Sequence, residues 1–191
     1  MDHAIIEFLS RYITLTAAEK AYIEKQNVIQ YYAKGSKLLS EGERARECYF
    51  VLKGCVYSYY LRDGDLKVTD FFTEGQPITP TSYVDKVPSA YFLECAEDTI
   101  LALANEERNA ELMRNLPRLA TISGQVMQDQ MNLQRLKYDE MIRLTPEERY
   151  RKLQDQAPGL LNRVPQYLIA SFLGIQPETL SRIRKRLVGK A

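Results

Sequence analysis

The residues best suited to chemistry lie near the carboxyl end of the chain, between Gln166 and Leu187. Five polar residues there fall on one side of a predicted helix: Gln176, Glu178, Ser181, Arg182 and Lys185. Guanidinium, carboxylate and amide groups form hydrogen bonds with base edges, while hydroxyl and ammonium groups hold phosphates. We therefore expect this polar, cationic helix to enter the major groove of double-stranded DNA.

Two short helices joined by a tight turn are predicted to position these residues. Gly174 supplies the left-handed backbone of the turn, and Pro177 falls at the first position of the second helix, where its missing N–H is not needed. The small side chain of Ala170 lets the two helices approach each other. Apolar residues at helical spacing supply the buried side: Leu168, Ile169, Leu173, Ile175, Leu180 and Ile183. This pattern is typical of a helix-turn-helix.

Positive charge is concentrated at the same end of the chain. The formal net charge of the whole chain is only +1, yet Glu178 is the only acid from Arg163 onward, against six basic residues. A glycine turn between amphipathic helices also occurs in helical bundles with a solvated basic end. The alternative is therefore a ligand-binding or protein-interaction module whose C-terminal helices contact protein, although a protein-docking helix would usually present an apolar patch.

Other kinds of site find few suitable residues. The only histidine is His3, so neither a His-based triad nor a site with two imidazole ligands can form within one chain. The cysteines are Cys48, Cys55 and Cys95, an odd number without a CxxC pair, which argues against a disulfide framework or a zinc knuckle. No catalytic residue, metal site or cofactor is predicted, and an enzyme is the least favoured class.

Composition places few limits on the fold but does indicate the compartment. Apolar residues make up 45% of the chain and charged residues 27%, as in ordinary soluble proteins. No apolar stretch is long enough to span a membrane, and the amino terminus carries Asp2 and no basic region, unlike a secretory signal. We expect a cytoplasmic protein with no membrane partner.

The rest of the chain changes local pattern twice. Residues 2–26 are predicted to be helical, with a capping box formed by Thr16 and Glu19. From Val28 to about Leu103, short aromatic and β-branched runs alternate with glycine turns, which predicts a β-sandwich or barrel. Within this part, the turn Asp63-Gly64 predicts a hairpin.

A long helix is predicted from about Leu116 to Leu144, roughly 40 Å at 1.5 Å per residue. Two series of residues seven apart resemble a heptad seam: Leu119, Val126, Leu133 and Glu140, and Ile122, Asp129, Leu136 and Arg143. The helix could simply pack along the β domain, but one β domain cannot cover all of it. We therefore favour a coiled-coil homodimer. A capping box at Thr145, with Pro146 and Glu148, then begins a new helix that Ala157-Pro158-Gly159 closes.

This order of elements resembles that of the Crp/Fnr family of bacterial transcription regulators over essentially the whole chain. The segment AKGSKLLSEGERARECYFVLKG, Ala33 to Gly54, is similar to the first turns and strands of the family's cyclic-nucleotide-binding-like β-roll. The segment FLGIQPETLSRI, Phe172 to Ile183, is similar to its recognition-helix motif. The resemblance implies an α+β fold: an N-terminal β-roll (jelly roll) with flanking helices, a long dimerisation helix and a C-terminal winged helix-turn-helix.

The resemblance also assigns roles by position. Glu178 and Arg182 look like the residues that read bases, because Glu accepts from the cytosine amino group and Arg donates to guanine. Thr179 and Lys185 look like phosphate contacts. Many family members have a basic residue where this chain has Pro177, which puts the operator sequence in doubt.

The largest departure from the family lies between Gly75 and Tyr91. Members that bind cyclic nucleotides hold the ribose with a Glu and the phosphate with an Arg, and the matching positions here are Pro80, or close to it, and Pro88. A cyclic phosphate would lose a charge-assisted hydrogen bond of about 1.5–3 kcal/mol, which Lys86 could replace only as a point charge. A pocket should persist, with an expected lining of Thr79, Thr81, Ser82, Ser89, Tyr91 and, from the long helix, Asn132.

The sequence thus predicts a homodimeric, sequence-specific DNA-binding transcription regulator in three parts. Residues 1–115 form the sensor, 116–144 the dimerisation helix and 145–191 the DNA-binding domain. The expected partners are a two-fold DNA operator with half-sites about 34 Å apart, a second copy of the chain and RNA polymerase. The effector is an unknown small molecule or none, and cyclic AMP bound in the usual Arg/Glu mode is not expected.

Overall fold

The computed structural model describes residues 3–26, 28–157 and 159–188. The N-terminal residues form two helices rather than one run, α1 (His3–Ser10) and α2 (Ala17–Gln26). Thr16 and Glu19 form the predicted capping box, since each side chain accepts a hydrogen bond from the other's main-chain N–H. The predicted helical position Asp2 lies outside the described residues.

A roll of two four-stranded antiparallel sheets follows. The strands are β1 (Val28–Tyr32), β2 (Lys37–Leu39), β3 (Cys48–Lys53), β4 (Val56–Arg62), β5 (Asp65–Phe72), β6 (Pro77–Ile78), β7 (Phe92–Cys95) and β8 (Thr99–Ala104). One sheet has the order β1-β8-β3-β6 and the other β2-β7-β4-β5, so β5 is an edge strand. Side chains such as Val51, Val56, Leu93 and Leu101, each at most 1% exposed, fill the space between the sheets.

The predicted hairpin joins β4 and β5. Arg62 pairs with Asp65, and the two turn residues Asp63 and Gly64 both have positive φ, 54° and 83°. This is the geometry of a two-residue hairpin turn, in which Asp tolerates and Gly favours a left-handed backbone. The hairpin prediction is therefore confirmed.

Helix α3 (Thr81–Asp85) lies between β6 and β7, and two helices follow the roll: α4 (Glu106–Asn115) and α5 (Pro117–Arg143). Helix α5 has the predicted length, but its faces differ from the predicted seam. Leu119 and Ile122 are 3% and 6% exposed because they pack against α1 and α2 within the same chain. The first half of the predicted heptad seam is therefore used inside the chain and does not face a partner.

Four helices complete the described chain: α6 (Pro146–Gln156), α7 (Leu160–Arg163), α8 (Gln166–Phe172) and α9 (Pro177–Val188). Thr145 and Glu148 form the predicted capping box of α6. Of the predicted stop after α6, Pro158 lies outside the described residues. No strand occurs in 145–157 or 159–188, so the expected wing is not formed in these residues.

The C-terminal helices pack on the outer side of the β2-β7-β4-β5 sheet. Tyr57 and Phe71 of the sheet and Leu168 and Leu180 of the helices belong to one continuous hydrophobic cluster. The rings of Phe71 and Phe172 lie 5.2 Å apart. The roll therefore has two packed faces, one inside it and one against the C-terminal helices, which the sequence pattern did not indicate.

The predicted α+β class is confirmed: the strands of the described chain lie within residues 28–104, and the described residues after them form helices and their connections. Among the described residues no helix combines the length and apolarity needed to cross a bilayer.

Candidate nucleic-acid interface

The turn between α8 and α9 is built as its residues predict. The Ile175 N–H donates to the Ala170 carbonyl and the Gly174 N–H to the Ser171 carbonyl, both at 3.0 Å. These two bonds form a Schellman motif, which requires a left-handed residue at Gly174, whose φ is 71°. Leu180 and Ile183, 1% and 2% exposed, anchor one side of α9 in the hydrophobic cluster. The opposite side of α9 is therefore held outward.

Four of the six predicted DNA-contacting residues lie on that outward side. Five of the six are exposed: Gln176, Glu178, Ser181, Arg182 and Lys185. Thr179 is half-buried and lines, together with Gln176, a cavity of about 650 Å³ between the start of α9 and the hairpin residues Asp65 to Lys67. The fold thus brings Glu178, Ser181, Arg182 and Lys185 together on the outward side of α9, with Gln176 just before the helix and Thr179 at the edge of that side.

The cations of the C-terminal helices have different surroundings. Arg163 and Arg186 form ion pairs, Arg163 with Glu74 and Glu97 and Arg186 with Glu147. Arg182 and Lys185 have no acidic partner among the described residues. The basic character predicted for the whole segment therefore reduces to a smaller set of cations that are available to a phosphate or a base.

Two sets of contacts fix the helix-turn-helix against the roll. The Ser171 hydroxyl accepts a hydrogen bond from the Val68 N–H at 2.9 Å and donates to the Leu66 carbonyl at 2.8 Å, so it pairs with edge strand β5. Arg163 holds Glu74 through two nitrogens, at 2.7 and 3.2 Å, and Glu97 through Nε at 2.9 Å. Burial raises the pKa of Glu74, but hydrogen bonds from Arg163 and from the Gly54 N–H outweigh it and hold that pKa below its ordinary value.

These docking residues were missed by sequence reasoning. Ser171 lies in an otherwise apolar helix, and its isolated hydroxyl was the available signal. Arg163 was interpreted as part of the basic DNA-binding segment, because nothing in its neighbourhood shows that acids 66 and 89 residues earlier would meet it.

The predicted effector residues lie on and around α3, and several hydroxyls are already engaged. Ser82 and Ser89 are 1% and 4% exposed. The Ser82 hydroxyl accepts from the Ala45 N–H, and the Ser89 hydroxyl donates to the Tyr91 carbonyl. The Tyr91 hydroxyl accepts from the Thr81 N–H at 3.1 Å. Within this segment, polar groups therefore satisfy one another.

The remaining predicted effector residues are more exposed. Thr79 and Thr81 are exposed, and so is Asn132, whose side chain accepts a hydrogen bond from Gln128 on the same helix. Lys86, the proposed substitute for the family's arginine, instead donates to Glu106 at 2.7 Å. The cavity beside the start of α9 and a second cavity between β5, α5 and α6 are lined by other residues, so the effector pocket stays a prediction.

The sequence was compared with models of protein families and with curated protein sequences. Residues 29–115 match the family model described as the cyclic nucleotide-binding domain. No curated protein sequence matches the chain.

Several solved structures share the fold. The c-di-GMP responsive global regulator CLP of Xanthomonas campestris is 19% identical, with a TM-score of 0.68 and coverage of 92% of this chain and 93% of that one. FixK2 of Bradyrhizobium japonicum is 21% identical, with a TM-score of 0.63 and coverage of 86% and 85%. The catabolite activator protein of Thermus thermophilus is 19% identical, with a TM-score of 0.57 and coverage of 94% and 86%. Residues 29–115 are thus similar to the cyclic nucleotide-binding domain, and the chain shares the fold of these solved structures over nearly all of its length.

Proposed function

We propose that this protein is a homodimeric transcription regulator that binds operator DNA through α9. One observation carries the proposal: the outward side of α9 presents Glu178, Arg182 and Lys185 on a helix whose other side is anchored by buried Leu180 and Ile183. A rigidly held polar helix can enter the major groove without unfolding or exposing core residues. The shared fold with CLP, a global regulator, supports the same role.

The proposed dimer uses a stripe of exposed apolar residues on α5. At 100° per residue these side chains share one side of the helix, which we call the α5 stripe: Met127, Met131, Tyr138, Met141 and Ile142. Met127, Met131 and Tyr138 are 63%, 62% and 68% exposed, which is high for residues of their size and apolarity. A second copy of the chain, applied along the helix, would cover the stripe. This seam replaces the one inferred from residues seven apart.

We propose that the sensor does not bind cyclic AMP in the Arg/Glu mode. Pro80 is fully buried and Pro88 offers no charge, while the Ser89 and Tyr91 side chains are bonded within the segment. The effector is then another small molecule, or the protein acts without one. Calorimetric titration with cyclic AMP and cyclic GMP tests this point: we expect no binding at micromolar concentration, and tight binding of either nucleotide would refute it.

DNA binding is separated from the alternative, a protein-interaction module, by a gel shift at several salt concentrations. We expect a shift of random duplex DNA at low salt that weakens steeply between about 50 and 200 mM salt, because bound cations release counterions from phosphates. A chain that leaves duplex DNA unshifted at low salt would support the interaction module. RNA polymerase is proposed as a further partner, to be tested by co-sedimentation on operator DNA.

A further inference from the structure

A cavity of about 400 Å³ lies where the roll, the long helix and the C-terminal helices meet. We call it the junction pocket. Its walls come from β5, α5, α6 and α8, and it is separate from the interior of the roll and from the α9 surface. The volume falls within the range of about 300–1,000 Å³ found for small-molecule sites.

The pocket combines an apolar floor with a charged wall. Phe71 and Phe172, whose rings lie 5.2 Å apart at an angle of 60°, and Leu153 provide the apolar surface. Asp70, 8% exposed, receives two hydrogen bonds of 2.8 Å from Lys137. Apolar surface with a few fixed polar groups is the usual composition of a ligand site.

The charges of this wall do not cancel. Lys137 is paired with Asp70, and Lys152 is paired with Glu140. Arg149, which also lines the pocket, donates to the main-chain carbonyls of Met141 and Leu173, at 2.8 and 2.7 Å, and has no acidic partner among the described residues. The wall therefore carries one uncompensated positive charge.

Arg149 also has unused hydrogen-bonding capacity. Its Nε is buried and has no hydrogen-bond partner. Leaving a buried charged donor without a partner is unfavourable, and an anion in the pocket beside Arg149 would supply the missing countercharge; it would also supply the acceptor once the guanidinium turns toward the pocket. This is the second feature, independent of the cavity, that indicates a ligand.

We propose that the junction pocket binds a small organic anion, with a carboxylate or phosphate group beside Arg149 and a flat apolar body against Phe71 and Phe172. Such a ligand contacts three parts of the chain at once. It therefore stabilises the arrangement in which the C-terminal helices are docked on the roll over any arrangement in which these walls separate. The proposal does not depend on DNA binding or on an effector in the roll, and the pocket borders the proposed dimer seam because Tyr138 and Met141 belong to both.

The test uses a pair of probes that differ in one group. 8-Anilinonaphthalene-1-sulfonate carries an anionic group, whereas N-phenyl-1-naphthylamine has the same rings without it. The chain contains five methionines, of which Met141 lines the pocket, so methyl-labelled methionine reports the location of each probe by NMR. We expect saturable movement of the Met141 methyl signal on titration with the anionic probe.

Two variants change the charge of the pocket in opposite directions. Arg149→Met should lower the affinity for the anionic probe at least tenfold, because a charge-assisted hydrogen bond is lost. Glu140→Gln keeps the shape of the side chain and removes the acidic partner of Lys152. It should raise the affinity for the same probe severalfold. Neither substitution should change the affinity for the neutral probe. Lys185→Met, which removes a cation that does not line the pocket, should leave the affinity for both probes unchanged.

Glu140→Gln keeps the test decisive if Arg149→Met fails to fold, since Arg149 also holds two main-chain carbonyls. The proposal is overturned if the Met141 signal stays unmoved by saturating anionic probe. It is equally overturned if Glu140→Gln leaves anionic-probe affinity unchanged or weakens it, or if both probes respond alike to the charge variants.

Discussion

Arg182 and Lys185 are the exposed cations of α9 that have no acidic partner among the described residues. Two nearby residues show the contrast. Arg186 is paired with Glu147, and Arg184 is half-buried on the other side of the helix. DNA binding by α9 therefore depends on which arginine lacks an acidic partner, and not on how many arginines the helix contains.

Arg182→Ala should weaken binding to a selected operator by about 5- to 150-fold, because a bidentate contact to guanine is worth about 1–3 kcal/mol. Affinity for random duplex DNA should fall much less. Fluorescence anisotropy with both duplexes measures the two effects. Arg184→Ala is the matched control, since it removes the same charge from the same helix on the side facing away from the groove. Equal losses for the two variants would contradict the assignment of Arg182 as a base-reading residue.

Ser171→Ala tests the docking of the C-terminal helices on edge strand β5. Without the hydroxyl, the N–H of buried Val68 loses its acceptor, which costs about 1–3 kcal/mol. Hydrogen exchange of the Val68 amide should therefore accelerate by about tenfold or more, because the docked arrangement opens more often. Ser123→Ala, on the exposed surface of α5, should leave that rate unchanged. Unaltered Val68 exchange in Ser171→Ala would show that the hydroxyl does not hold the domains together.

Two elements, the turn before α9 and the α5 stripe, would determine the orientation and spacing of the proposed base-reading residues. The turn sets the direction of α9 through its Schellman bonds. The stripe sets where a second copy of α9 would lie, because the partner must pack along α5. Each element can be perturbed without touching the proposed base-reading residues.

Gly174→Ala should destabilise the protein by about 1–2 kcal/mol through backbone strain alone. A Cβ at Gly174 would meet only the end of the Arg149 side chain, at 4.0 Å, so no steric clash contributes. Gly159→Ala, in the same group of helices but with φ −67° and ψ −30°, should instead stabilise it by about 0.4–1 kcal/mol. Denaturant unfolding measures both, and destabilisation of similar size in both variants would show that the left-handed turn is not the cause.

Met131→Glu should convert the dimer into a monomer, because it places a charge in the middle of the proposed seam. Leu136→Glu is the matched control: Leu136 is also exposed, at 56%, but lies on nearly the opposite side of α5 and belongs to the seam inferred from the heptad spacing. Sedimentation at micromolar concentration distinguishes the two seams. If Leu136→Glu is a monomer and Met131→Glu is a dimer, the dimer uses the seam inferred from the heptad spacing.

In the whole molecule, α9, the proposed recognition helix, is held on the roll by contacts that join distant parts of the sequence. Ser171 meets Leu66 and Val68, and Arg163 meets Glu74 and Glu97. These contacts give the C-terminal helices a defined position relative to α5, and a two-fold pair of α5 helices would then give the two recognition helices a defined separation. Such a separation is what a symmetric operator requires.

Local chemistry explains which of these features the sequence could predict. The capping boxes at Thr16 and Thr145, the Asp63-Gly64 hairpin and the Gly174 turn each depend on residues within a few positions of one another, and each is present. The first half of the predicted α5 seam is used inside the chain, because a seven-residue spacing does not reveal that Leu119 and Ile122 are covered by α1 and α2. The packing of the C-terminal helices on strand β5 was missed because Ser171 and Val68, which join them, are 103 residues apart.

We propose that paired α9 helices read a two-fold operator. Selection of binding sites from a pool of random duplexes tests it most directly, with Arg182→Ala selected in parallel. We predict enrichment of an inverted repeat whose half-sites lie about 10–10.5 base pairs apart, or about 34 Å, and no such enrichment with Arg182→Ala. Recovery of no common sequence, or of single half-sites without symmetry, would contradict the account.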